Sequence, residues 1–154
     1  MVEKMVLHDQ LRRAYDGDAW HGDSVLEILA GVDAATAAAH PIRGAHSIWE
    51  LVLHIAAWDG AVLLRMNTGG PVELKDEDNF PGTPDTSEAA WRRAVEHLRK
   101  VHADLLRDLE KFPEARLDEE IPGKDYNFRH MLLGVVQHEL YHAGQIALLK
   151  KASK

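Results

Sequence analysis

Residues 127–149 read NFRHMLLGVVQHELYHAGQIALL, and this stretch decides the fold. Phe128, Met131, Val135, Ile146 and Leu149 lie on one row, and His138 and His142 fill the two positions between Val135 and Ile146. The steps along that row are 3, 4, 3, 4, 4 and 3, the period of an α-helix with one buried face. Asn127 is a helix-capping residue type, and Tyr126 and Met131 bracket it as a hydrophobic staple. A helix is therefore expected from Asn127 to about Lys151. Its two histidines stand one turn apart on the buried face, close enough to share one ion. The plainer reading is a pair of hydrogen-bonded core histidines. Each imidazole carries a donor and an acceptor, so two buried side by side need partners.

The same period recurs earlier in the chain. A first long helix is expected from about Glu3 to Asp16, with His8, Leu11 and Tyr15 on one face, and two short helical pieces at Asp23 to Ala30 and Asp33 to Ala39. Ser47-Ile48-Trp49-Glu50 is a capping box that opens a second long helix. Leu51, Ile55, Trp58, Val62 and Met66 form its apolar stripe, with His54 on the inward side between Leu51 and Trp58, and Gly69-Gly70-Pro71 ends it. A third runs from about Ser87 to Lys111 on Trp91, Ala94, Leu98, Val101 and Leu105, and Phe112-Pro113 stops it. No segment alternates like a strand. Four long helices predict an all-α four-helix bundle in a single domain over 1–154. Thr68 to Asp85 is a long polar crossover, long enough for the second and third helices to run parallel.

Composition narrows the chemistry. The chain has 154 residues, 45% hydrophobic and 28% charged, and no cysteine. Disulfides, thiolate metal sites and cysteine nucleophiles are excluded, so a metal must be held by His, Asp or Glu. A net charge of -7 argues against nucleic acid as a partner. Lys150, Lys151 and Lys154 suit the negative end of a C-terminal helix. No apolar run reaches membrane-span length, and MVEKMVLHDQLRR lacks the apolar stretch of a signal peptide, so a cytoplasmic location is expected.

His138-Glu139-Leu140-Tyr141-His142 also spells H-E-x-x-H, in which Glu139 would be the general base of a metallopeptidase. Residues 143–154 contain no His, Asp or Glu to serve as the third ligand, and no strand is at hand to hold a peptide. Peptidase activity is not expected.

Residues 47–59, SIWELVLHIAAWD, and 138–146, HELYHAGQI, resemble the two signatures of the DinB-like superfamily, close to its YfiT-type branch. Gly17 and the Trp20-His21-Gly22 stretch are similar too. The resemblance implies a bundle of up-down-down-up topology. It also implies a divalent metal site on His54, His138 and His142, with zinc or nickel first and iron or manganese after them. Relatives of this kind include thiol S-transferases and a thiol-dependent isomerase, and others are labelled metal-dependent hydrolases. The expected function is transfer of a low-molecular-weight thiol to a small-molecule electrophile. A metal-dependent hydrolase and a metal-binding module without turnover are the alternatives. Homodimers are common in the family.

Around this site Trp20 and His21 are candidates for the pocket mouth, and Glu139 and Tyr141 for catalytic roles. Glu139 lies about 100° around the helix from His138, which suits a supporting or a solvent position. Gln145 can serve a ligand or the backbone, Trp58 reads as core packing, and Glu50 belongs to the capping box. His97, His102 and His130 read as solvated or packing residues, and His8 is a minor alternative ligand.

Overall fold

The computed structural model describes residues 3–154; Met1 and Val2 of the expected domain lie outside the described residues. These form α1 (Glu3–Asp16), α2 (Val25–Leu29), α3 (Ala34–Ala38), α4 (Ile48–Thr68), α5 (Asp76–Asn79), α6 (Glu88–Lys111) and α7 (Phe128–Ala152), with a 3-10 turn at Glu114–Asp118. Among the described residues there is no strand, only an isolated bridge between Glu120 and Asn127. No helix among them is long and apolar enough to cross a membrane.

The long helices start where their caps place them. The Ser47 hydroxyl accepts from the Glu50 amide at 3.1 Å, while the Glu50 carboxylate accepts from the Ser47 amide at 2.7 Å. At the starts of α6 and α7 the Ser87 hydroxyl and the Asn127 amide oxygen accept from the Ala90 and His130 amides, without the reciprocal bond. Each such cap stabilises its helix by about 1 kcal/mol. Gly69 ends α4 in the left-handed region, at φ 62°, where a side chain would be strained.

Named contacts fix the helix directions. Trp49 meets Trp91, Asp59 lies beside His102, and Asn67 bonds to Asp108, so α4 and α6 run parallel. His54 meets His142 while Arg65 reaches Tyr126, so α7 runs against α4. Lys4 bonds to the Glu110 carbonyl and Tyr15 stacks on His102, so α1 opposes α6. Glu3 pairs with Arg129, and Ala14 shares a hollow with Leu140, so α1 follows α7. Each of α1 and α4 thus packs on both α6 and α7. Residues 69–87 supply the length that the parallel α4–α6 pair requires.

The core divides into two apolar clusters. One gathers Tyr15, Trp49, Leu98 and Ile146; the other gathers Leu11, Leu105, Phe128 and Leu132. Each of these side chains contributes about 1.5–3 kcal/mol through burial. Between the clusters α4, α6 and α7 change character, presenting Asp59, His102 and Glu139 inward instead of apolar side chains. On α6 this corrects the expected stripe: His102 is buried, and Val101 is only half-buried. On α1 the buried row is Leu7, Leu11, Ala14 and Tyr15. His8, expected inward, is half-buried at the edge of that row beside Lys4, Met5 and Glu110.

The short helices close one end. Trp91 Nε1 donates to the Val32 carbonyl at 2.8 Å. Lys150 serves α2 rather than its own helix end: its Nζ donates to the carbonyls of Ile28 and Ala30, each at 2.7 Å.

Candidate metal centre

The Ser47 cap sets the register of α4, so that His54 faces α7 two turns in. On α7 the helical period stacks His138 and His142. The three rings present Nε2 atoms to one point. His138 Nε2 lies 3.0 Å from His54 Nε2 and 3.1 Å from His142 Nε2. His54 and His142 are buried and His138 is half-buried.

The opposite ring edges explain what those Nε2 atoms can do. His54 Nδ1 donates to the Asn79 carbonyl at 2.7 Å, and His142 Nδ1 donates to Gln145 Oε1 at 2.6 Å. Each of those protons sits on Nδ1, so each Nε2 offers a lone pair. Two lone pairs and a third ring nitrogen thus converge where one proton can satisfy only part of the set. Burial lowers the pKa of all three histidines below the usual imidazole value, and the neighbouring rings push His138 further, to about 3. The trio therefore stays neutral at physiological pH, the form that ligates. Three nitrogens around a tetrahedral ion at ~2.05 Å would stand about 3.4 Å apart. The distances here are a few tenths of an ångström shorter, and a divalent cation fits with a slight outward movement. Imidazole nitrogens suit zinc, nickel, copper and iron.

The crossover completes the site. Asn79 uses its backbone carbonyl on His54 and its side-chain oxygen on Trp58 Nε1, at 2.9 Å. Phe80 lies between two histidines, stacked on His54 at 4.1 Å and on His46 at 3.8 Å. Neither Asn79, Phe80 nor His46 stood out in the sequence. Gln145, singled out only as a possible donor, instead accepts from His142. Such outer partners fix the tautomer and ring angle of a ligand.

The remaining candidates are dispersed. Tyr141 is 66% exposed, its ring edge-on to His142 at 5.0 Å. Trp20 and His21 are exposed and line a different hollow, with Arg13, Val136 and Leu140, away from the convergent nitrogens. Glu50 keeps its capping role and also meets His40 and His46. His130 is exposed beside Tyr126, and His97 is exposed on α6.

Glu139 needs the clearest correction. It is fully buried, not at the solvent edge, and it faces away from the trio into the centre of the molecule. Its Oε1 accepts from His102 Nδ1 at 2.9 Å, and Asp59 Oδ2 lies 3.5 Å from the same nitrogen. Burial opposes a charge on His102, but the two carboxylates outweigh it and raise its pKa to about 9. Burial and the adjacent Asp59 raise Glu139 well above the carboxylate range. Both Asp59 oxygens, Glu139 Oε2 and His102 Nε2 lack further partners among the described residues. The spacing of this group would also admit a cation. One signal in the sequence did mark it: Asp59, His102 and Glu139 each occupy a seam position three or four residues from apolar neighbours.

The chain belongs to the DinB superfamily, whose family model matches residues 18–146. That span contains His54, His138, His142, Asn79 and Gln145. Comparison with curated proteins and with solved structures found no match.

Proposed function

We propose that this protein is a metal-dependent enzyme that transfers a small thiol to an electrophile, with His54, His138 and His142 as the protein ligands of one zinc or nickel ion. The observation that carries the reading is the convergence of three Nε2 atoms whose Nδ1 sides are already engaged at His54 and His142. Three protein ligands leave a coordination position free, the mark of a catalytic rather than a structural site. A divalent ion there supplies Lewis acidity and keeps a coordinated thiol deprotonated at neutral pH. Asn79 and Gln145 hold the ligand rings in orientation. Trp58, Val62, Met131 and Val135 wall an apolar hollow against His138 and limit water there. To Tyr141, exposed beside His142, we assign exchange of a proton with a leaving group. The parallel α4–α6 pair and the opposed α7 support a four-helix bundle of up-down-down-up course; a homodimeric assembly is proposed on the family resemblance alone.

Metal analysis of the purified protein, with and without His142→Ala, tests the centre. Turnover of chlorodinitrobenzene with a panel of low-molecular-weight thiols tests the reaction. Hydrolysis would use the same three ligands, and ester cleavage without any thiol requirement would replace the transferase reading.

A further inference from the structure

Arg65 is a buried cation with no direct ion-pair partner among the described residues; the nearby Glu73 carboxylate acts on it only at longer range. It lies on α4, 3% exposed, eleven residues after His54 and seven after Trp58, on the same helix face. Its Nε and Nη2 donate to the Val72 carbonyl at 3.1 and 2.6 Å, and Nη1 reaches the Tyr126 hydroxyl at 3.5 Å. These partners are neutral. Among the described residues no carboxylate lies within ion-pairing distance of Arg65, and Glu73, next to Val72, is taken by Lys124. A guanidinium stays charged at any physiological pH, and burying it unpaired is costly. A neutral glutamine would serve to hold one carbonyl, so the Val72 contact does not account for the charge.

The cavity beside it does. Arg65 lines a hollow of about 290 Å³ that ends on His138, with Trp58, Val62 and Met131 among its walls. Trp58 stands between the two polar ends: its ring is 6.0 Å from that of His138, and the guanidinium lies 5.8 Å from its centroid. The two ends are therefore no more than about 12 Å apart, with the Trp58 ring beside both. The volume equals that of roughly ten liquid water molecules.

We infer that Arg65 is the anion-binding end of the substrate site, and that the substrate is a small acid: an apolar or aromatic body with a carboxylate on Arg65 and its reacting group at the histidine trio. The assignment of the reacting end rests on the metal-centre reading above; the anion subsite does not. Nε and one Nη2 hydrogen already serve Val72, so a planar carboxylate would take the remaining Nη1 and Nη2 hydrogens in two parallel bonds.

The test uses a matched series on the zinc-loaded chain: 4-(mercaptomethyl)benzoate, the corresponding benzamide, and the corresponding benzylamine, each titrated calorimetrically. The acid is expected to bind at least ten-fold tighter than the amide, with the amine weakest. Arg65→Gln should reduce the preference of acid over amide to within two-fold while leaving the zinc content unchanged. Equal binding of acid and amide, discrimination that survives Arg65→Gln, or no binding of any probe to a zinc-loaded chain would overturn the inference. Should Arg65→Gln fail to fold, the ranking of acid, amide and amine on the unaltered chain still decides the matter. A second pair, 4-methylbenzoate and 4-methylbenzamide, lacks the thiol and is titrated without metal. Preference for the acid there, in a chain that takes up no zinc when zinc is supplied, would retain the subsite and sink the metal centre instead.

Discussion

Replacing His102 by alanine should be among the most damaging single changes in the molecule. The imidazole lies between Asp59 and Glu139, with Nδ1 2.9 Å from one carboxylate and 3.5 Å from the other, and all three residues are at most 1% exposed. Removing it leaves two carboxyl groups facing each other in the core. Breaking a buried ionic group in this way costs about 3–5 kcal/mol. The lost stacking on Tyr15 and the residual cavity place the loss toward the upper end. Partial relief comes when Glu139 carries a proton, so the cost is expected to grow with pH. In urea unfolding followed by circular dichroism, with a slope of about 1–3 kcal/mol per molar, the midpoint should fall by about 2 M at pH 7. The apolar triple variant Asp59→Val, His102→Leu, Glu139→Met should recover most of that loss, because it removes every charge together. A His102→Ala variant within about 1 kcal/mol of the unaltered protein would refute the reasoning, and so would a triple variant as unstable as the sum of its parts.

Loss of a ligand is expected to be complete in practice: His138→Ala or His142→Ala should reduce bound zinc from one ion per chain to none after gel filtration, read by atomic emission. Gln145→Ala should keep the ion but weaken it by about 10–100-fold in a chelator competition, since only the orientation of His142 is lost. The metal-free protein should be most stable near pH 6.5. His138, held near 3 when folded, takes up a proton in the unfolded chain below about 6.5, so stability falls toward acid by up to about 1.4 kcal/mol per unit for each such histidine. His102, raised to about 9, stabilises fully below about 6.5 and loses that contribution as pH rises through 9; a thermal-melt series that climbs steadily from pH 6 to 9 would contradict this. Lys150→Met should cost about 1 kcal/mol by thermal melt, as two carbonyls at the end of α2 lose their donor.

The parts that were legible in the sequence are those governed by local geometry. The caps at Ser47, Ser87 and Asn127 bond as their residue types require, and the 3-4 period on α7 puts His138 and His142 on one face. The length of the crossover foretold the parallel α4–α6 pair. Its docking was not legible, because nothing local to Asn79 and Phe80 says that they return to His54. That contact exists only once α4 and α7 are assembled. Asp59, His102 and Glu139 escaped for a related reason. Taken one at a time, a charged residue reads as solvated, and only the meeting of three helices makes these three each other's solvent. Trp20 and His21 entered through the family resemblance, and the turn after α1, with Gly17 and Asp18 at positive φ, carries them to a hollow of their own.

Asn79 touches both a histidine of the convergent trio and the wall of the hollow, through its carbonyl on His54 and its amide oxygen on Trp58. The crossover therefore acts as a replaceable cartridge. A change in its length or sequence can reorient His54 and reshape the cavity in one step, while the helices beneath keep their packing. Loops of this kind tolerate insertion far better than buried helix faces do. A scaffold so arranged can take on new substrates without repacking its core, and directed variation confined to residues 69–87 should reach altered selectivity sooner than variation spread over the helices.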